Sequence, residues 1–127
     1  MKSKQKFFVC KHCGNMVGVI NDKGVSMICC GEKMSELVPN VIDASAEKHV
    51  PFVTVSKDTV NVKVGSVPHP MEDKHNITFV YIETEHGGQR KAIKPGEKPE
   101  VTFKLVDDKP IAAFAYCNLH GLWKTEL

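Results

Sequence analysis

Apolar and polar residues alternate with a period of two over much of this chain. The pattern is clearest in Val60, Val62 and Val64 against Asn61 and Lys63, and in Val101, Phe103 and Leu105 against Thr102 and Lys104. A period of two sends successive side chains to opposite faces of an extended strand, so each strand is expected to have one buried and one wet face. Beyond about residue 37, strands are predicted over 50–55, 59–64, 77–84, 89–93, 100–105, 111–116 and 122–126. Turn residues separate them at Glu85-His86-Gly87-Gly88, Lys94-Pro95-Gly96-Glu97 and Asp107-Asp108-Lys109-Pro110. No segment shows a helical period. The expected fold class is mainly β, with residues 37–127 forming an immunoglobulin-like seven-stranded β-sandwich.

Residues 1–36 read as a separate small domain. Phe7-Phe8-Val9 enters Cys10-Lys11-His12-Cys13-Gly14, and residues 16–20 suggest a strand. Asn21-Asp22-Lys23-Gly24 is a turn, and residues 25–28 are predicted to return as a second strand to Cys29-Cys30-Gly31. A lobe below ~40 residues rarely buries enough apolar surface to fold unaided. Structural metal binding supplies ~10–16 kcal/mol in zinc-finger peptides, so a metal held by Cys10, Cys13, Cys29 and Cys30 is expected to act as its core. Four thiolates close a tetrahedral shell and leave no room for substrate, which makes this site structural or electron-carrying. Spacing alone does not separate zinc from iron. A vicinal disulfide between Cys29 and Cys30 is the blander reading, but it leaves Cys10 and Cys13 unexplained. His12 is expected to be exposed and outside the shell.

Composition narrows the function classes. With 17 Lys+Arg against 15 Asp+Glu the formal net charge is +2, and the basic residues are scattered, so nucleic acid is not an expected partner. No apolar run approaches the ~20 residues of a membrane span, and Phe7-Phe8-Val9 is too short for a secretory apolar core. Five cysteines, four of them at metal-ligand spacing, suit a reducing compartment, and a cytoplasmic location is expected.

A second cluster lies in the larger domain: Glu47-Lys48-His49-Val50-Pro51, Pro68-His69-Pro70-Met71-Glu72-Asp73-Lys74-His75 and Cys117-Asn118-Leu119-His120. A lone loop histidine is most simply a solvated side chain, which is the reading given to His86 in its glycine-rich turn. His69 differs because the flanking prolines stiffen its backbone and lower the entropy lost on fixing an imidazole. His75 directly precedes an apolar strand. Cys117 and His120, three apart after another strand, have the reach to meet at one ion, although a lone cysteine is ordinarily a small buried hydrophobe. Four imidazoles and one thiolate hold a metal firmly and leave one coordination position open for chemistry.

These motifs closely resemble the desulfoferrodoxins, the two-iron superoxide reductases, over essentially the whole chain. The resemblance implies that Cys10, Cys13, Cys29 and Cys30 hold a rubredoxin-like Fe(Cys)4 centre in a desulforedoxin-like domain. It implies a catalytic Fe2+/Fe3+ centre with His49, His69, His75 and His120 as equatorial nitrogens and Cys117 as axial sulfur. The implied reaction is one-electron reduction of superoxide to hydrogen peroxide without release of dioxygen. Ferrous iron with neutral imidazoles and one thiolate carries about one positive charge, which suits an anionic substrate. By the same resemblance Lys48 attracts superoxide, and Glu47 is the carboxylate that approaches the ferric site and aids product departure. Relatives of this kind take electrons from a small redox protein such as rubredoxin and are often homodimers, so both partners are expected here.

Two rival readings explain less of the chain. A non-catalytic electron-transfer metalloprotein of blue-copper type also uses a cysteine and histidine late in a β-sandwich, but commonly with a following methionine ligand, and none follows His120. A zinc-ribbon interaction module accounts only for residues 10–30.

Overall fold

In the computed structural model the described residues are 2–127; Met1, the first residue of the expected 1–36 domain, lies outside them. Two compact units form: Lys4–Val38, and Pro39–Leu127 together with Lys2 and Ser3. Ser3 belongs with the larger unit through a 2.6 Å hydrogen bond from its Oγ to Glu83 Oε1. Among the described residues no helix is long and apolar enough to cross a membrane.

The smaller unit contains β1 (Phe7–Val9), β2 (Met16–Gly18), β3 (Ile28–Cys29), β4 (Glu32–Lys33) and β5 (Ser35–Glu36). β1 is central to an antiparallel sheet of order β2-β1-β5, and β3 and β4 make a separate ribbon. The hairpin expected between residues 16–20 and 25–28 does not form. β2 spends its pairing on β1, and residues 25–27 stay irregular. The local cause lies at Cys30 and Gly31, whose φ angles of 51° and 78° reverse the chain immediately after Cys29 and pair Ile28–Cys29 with Glu32–Lys33 instead. Phe7 and Cys10 are this unit's buried apolar residues.

The larger unit begins with a single turn of helix, α1 (Ala46–His49), which the sequence pattern did not announce. It continues as β6 (Pro51–Ser56), β7 (Thr59–Val64), β8 (Ile77–Thr84), β9 (Gly87–Ala92), β10 (Glu100–Lys104), β11 (Pro110–Cys117) and β12 (Gly121–Glu126). These seven strands make two antiparallel sheets, β10-β7-β6 and β12-β11-β8-β9, the sandwich expected from the alternation. Between them lie Val60, Val62, Val64, Val80, Ile82, Phe103, Leu105, Ala113 and Ala115.

The expectation of one wet face holds for β7 and β10 but not for β8 and β11, which are buried on both faces. On their outer face Phe79 stacks on Tyr116 at 5.8 Å and Tyr81 meets Phe114 edge-on at 6.1 Å, so cross-strand aromatic pairs shield it from water. The start of the larger unit is fastened down at Asn40, which has a φ of 64°. Its side chain accepts from Lys124 N at 2.9 Å and donates to Lys124 O at 3.1 Å, while its own N–H donates to Leu122 O at 3.0 Å.

Candidate metal centres

In the smaller unit the sulfurs of Cys10, Cys13, Cys29 and Cys30 all lie within 4.8 Å of one another. Cys13 Sγ and Cys29 Sγ are 3.6 Å apart, close to the ~3.8 Å edge of a tetrahedron with ~2.3 Å metal–sulfur bonds. Two turns of the same kind present the ligands. After Cys13, Gly14 adopts a φ of 83°, and after Cys29 the left-handed Cys30 and Gly31 play the equivalent part. Adjacent Cys29 and Cys30 therefore reach one point because the chain reverses between them.

Backbone N–H groups point at the sulfurs, from Cys13 to Cys10 at 3.5 Å and from Asn15 to Cys13 at 3.4 Å. The N–H of Cys13 holds the Cys10 thiol down to about 6, favouring its thiolate. Contact with the Cys13 and Cys10 sulfurs pushes Cys30 up to about 12, and the Cys10 sulfur raises Cys29 as well. Four sulfurs packed this closely ionise together only around a cation. All five cysteines of the chain are free of disulfides. His12 is exposed, pairs with Glu32 at 3.1 Å and is not among the four clustered ligands.

The second centre is assembled from three separate stretches of the larger unit. His49 ends α1 and is buried. His69 follows the loop after β7, where its N–H donates to Val64 O at 2.9 Å. His75 precedes β8, and Cys117 closes β11 at an irregularity in the ladder between Tyr116 and Cys117. His120 lies in the short turn before β12.

The imidazoles occupy the corners of a near-square. Neighbouring centroids are separated by 4.6 Å (His49–His69), 4.6 Å (His69–His75), 5.2 Å (His75–His120) and 4.9 Å (His49–His120), each pair inclined by 75–85°. The diagonal from His49 to His75 is 6.4 Å. The ligating atoms of His49, His69, His75 and Cys117 lie within 4.8 Å of one another. His120 joins them through Nδ1, 3.1 Å from His49 Nε2 and 3.8 Å from Cys117 Sγ.

Proton bookkeeping tests whether a cation fits. His49 Nδ1 lies 2.6 Å from Ser45 O and His69 Nδ1 lies 2.7 Å from Pro70 O. A carbonyl only accepts, so in each neutral ring the proton sits on Nδ1. Both Nε2 atoms are then bare lone pairs, yet they face each other at 3.1 Å. Metal–nitrogen bonds of ~2.1 Å at right angles would set neighbouring nitrogens ~3.0 Å apart. His75 Nε2 is buried with no hydrogen-bond partner among the described residues. Burial holds the His69 imidazole down to about 4 and lowers that of His49, so both rings are kept in the neutral, ligating form. A metal ion satisfies all of these atoms at once.

Glu47 and Lys48 are exposed on α1, immediately before His49. Their backbone is gripped by the loop that leads to His69: Val67 N and Ser66 Oγ donate to Glu47 O at 3.0 and 3.3 Å. A Cβ on Gly65 would stand 2.4 Å from that same oxygen, so only glycine allows this approach. His86 joins neither ligand set and is exposed in its turn, 3.2 Å from Asp108.

Reading by sequence missed three supporting side chains. Asn76 N–H donates to Asn118 Oδ1 at 2.9 Å, and Asn118 N–H returns a bond to Asn76 O at 3.2 Å. Trp123 stacks on His49 with centroids 4.9 Å apart. Asn118 lies between two ligands in sequence, which was the available signal; Trp123 offered none beyond following His120 by three.

Comparison with known proteins agrees with this geometry. Residues 41–126 match the desulfoferrodoxin family model, and residues 2–37 match the model of the desulfoferrodoxin N-terminal domain. A desulfoferrodoxin of Syntrophotalea carbinolica is 42% identical over 126 residues, covering 99% of both chains. The crystal structure of the superoxide reductase from Treponema pallidum superposes with a TM-score of 0.82 at 38% identity, covering 98% of this chain and 100% of that one. A superoxide reductase (1Fe-SOR) from Giardia intestinalis matches 64% of this chain and 99% of its own, with a TM-score of 0.53 and 34% identity. The four-cysteine set and the histidine–cysteine set fit the two iron centres of such proteins. Matched along nearly its full length and equipped with both ligand sets, the chain belongs to the desulfoferrodoxin family.

Proposed function

We propose that this chain is a superoxide reductase that converts superoxide, one electron and two protons into hydrogen peroxide and makes no dioxygen. The observation that carries the reading is the near-square of four imidazoles around bare nitrogen lone pairs, with the buried Cys117 thiol beside them. In this reading His49, His69, His75, His120 and Cys117 hold the catalytic iron, and Cys10, Cys13, Cys29 and Cys30 hold the second. Residues 1–36 form the Fe(Cys)4 domain and residues 37–127 the catalytic domain. Iron held by these five residues would supply one-electron redox chemistry.

The protein's own residues do the rest. Imidazoles kept neutral by burial leave the site's charge to the metal and a single thiolate, a balance that favours an approaching anion. Lys48 adds a positive charge next to the ligand His49, close enough for its ammonium to oppose protonation of that ring. Glu47 stands on the same turn, its Oε1 accepting from Ser45 Oγ at 3.4 Å, and would be the carboxylate that aids product departure.

The electron comes from a small redox protein such as rubredoxin, and the protein acts in the cytoplasm, where its five free cysteines stay reduced. A homodimer is supported by the apolar surface of the smaller unit, where Ile20, Val25 and Ile28 are 102%, 80% and 63% exposed. The decisive experiment is metal analysis with optical spectra of oxidised and reduced protein, coupled to a superoxide consumption assay. Two iron chromophores and peroxide formed without dioxygen are expected; zinc, or equal yields of dioxygen and peroxide, would overturn the assignment.

A further inference from the structure

The chain has one tryptophan, and it is packed against the catalytic ligands. Trp123 is 4% exposed on β12, where its backbone pairs with Ala115. Its indole lies face-on to the His49 ring, with centroids 4.9 Å apart and planes inclined by 28°. Its Nε1–H donates to the carbonyl of His120 at 3.1 Å. One side chain thus touches two of the four imidazole ligands in different ways, by stacking on one and by tethering the backbone of the other.

We propose that Trp123 is a positioning residue of the catalytic centre, fixing the plane of His49 and the backbone of His120 and holding down the reduction potential of the iron they bind. The inference rests on the superoxide reductase reading above. His49 sits at the end of a four-residue helix, and besides the metal its ring is oriented by Nδ1 bonding to Ser45 O. That bond lets the ring pivot about its own Nδ1–O axis, and the indole face removes the freedom. His120 lies in a two-strand turn, and the Nε1 bond sets the backbone from which its Nδ1 must point.

The electronic part follows from the indole's charge distribution. An aromatic face is negative and attracts positive charge held above it. A ligand imidazole carries more positive charge when its iron is ferric than when it is ferrous. The indole therefore stabilises the oxidised form more, lowering the potential and making the reduced centre a stronger donor. Both contacts are made to residues of the larger unit, so the Fe(Cys)4 centre of the smaller unit serves as an internal control.

The test is a spectroelectrochemical titration of the two-iron protein in three forms: unaltered, Trp123→Phe, and Trp123→Leu. Phenylalanine keeps a ring face but loses the N–H, and leucine loses both. The catalytic potential should rise in the order unaltered, Phe, Leu, with the Fe(Cys)4 potential unmoved. A catalytic potential that stays put or falls in the folded Phe variant would overturn the role, so the test stands even if the Leu variant fails to fold. An unaltered protein showing no second iron couple would instead overturn the superoxide reductase reading, and the inference with it.

Discussion

Asn76 and Asn118 exchange hydrogen bonds between the segment that follows His75 and the turn that joins Cys117, at the end of β11, to His120. Asn118 Nδ2 extends the clamp to Lys74 O at 3.0 Å, and Asn76 Nδ2 bonds Glu72 O at 2.9 Å. Each partner sits one position from a metal ligand, so the relative placement of His75 and Cys117 does not depend on the metal alone.

Asn118→Ala should loosen this arrangement without removing a ligand. Leaving the Asn76 N–H unsatisfied is expected to lower stability by about 1–3 kcal/mol. Iron retention should fall by roughly 10–100-fold, the usual consequence of losing an outer hydrogen bond at a metal site. Competition with a chelator, followed by optical absorption, measures this; iron held as tightly as in the unaltered protein would sink the idea.

Lys48→Ile addresses attraction of the substrate. A charge near the site contributes about 1 kcal/mol in water and about 4 kcal/mol where partly shielded. Lys48 is exposed, so the lower figure applies and roughly a five-fold slower reaction with superoxide is expected. Iron content should not change, and the remaining rate should depend less on salt. Stopped-flow traces with identical rates and salt dependence would remove the role.

Cys13→Ser separates the two centres. The first chromophore should be altered or lost, because Cys13 Sγ lies in the four-sulfur cluster and accepts from Asn15 N. Superoxide reduction should persist near its original rate when a chemical reductant supplies electrons. Complete loss of activity in a folded variant would mean that electrons must pass through the first centre.

A fourth expectation concerns pH, at a residue that belongs to neither ligand set. Asp108 is held at about 2, below its usual value of 3.8, by the Thr84 hydroxyl and by the N–H groups of Lys109 and His86. A depressed carboxylate favours the fold above pH 3.8, and the benefit disappears as pH falls through about 2. Asp108→Asn should therefore melt below the unaltered protein at neutral pH, with the gap closing as the pH drops under about 4. A gap that does not change between pH 7 and pH 2 would contradict this origin.

Much of this architecture is legible in the amino-acid sequence. Val60, Val62 and Val64 announce a strand because a single buried face imposes period two, and the sandwich follows from repeating that signal with turns between. Cys10, Cys13, Cys29 and Cys30 were readable because metal chemistry restricts residue type and spacing together. What escaped has equally physical causes. One turn of helix at Ala46–His49 is too short to establish a period of 3.6 residues. The pairing of Ile28–Cys29 with Glu32–Lys33 depends on left-handed dihedrals at Cys30 and Gly31, and cysteine gives no propensity signal for that conformation. The choice of Nδ1 by His120, and the contact of Trp123 with His49, arise only once distant strands are side by side.

The attachment of Asn40 to β12 has a consequence for solubility. β12 is the outermost strand of its sheet, and such strands invite pairing with a neighbouring molecule. A single amide imitates a missing strand by occupying both main-chain groups of Lys124, while the Asn40 N–H takes the carbonyl of Leu122. The margin of the sheet is thereby sealed at the stretch that carries Trp123, so association through this edge is blocked there whether or not iron is bound.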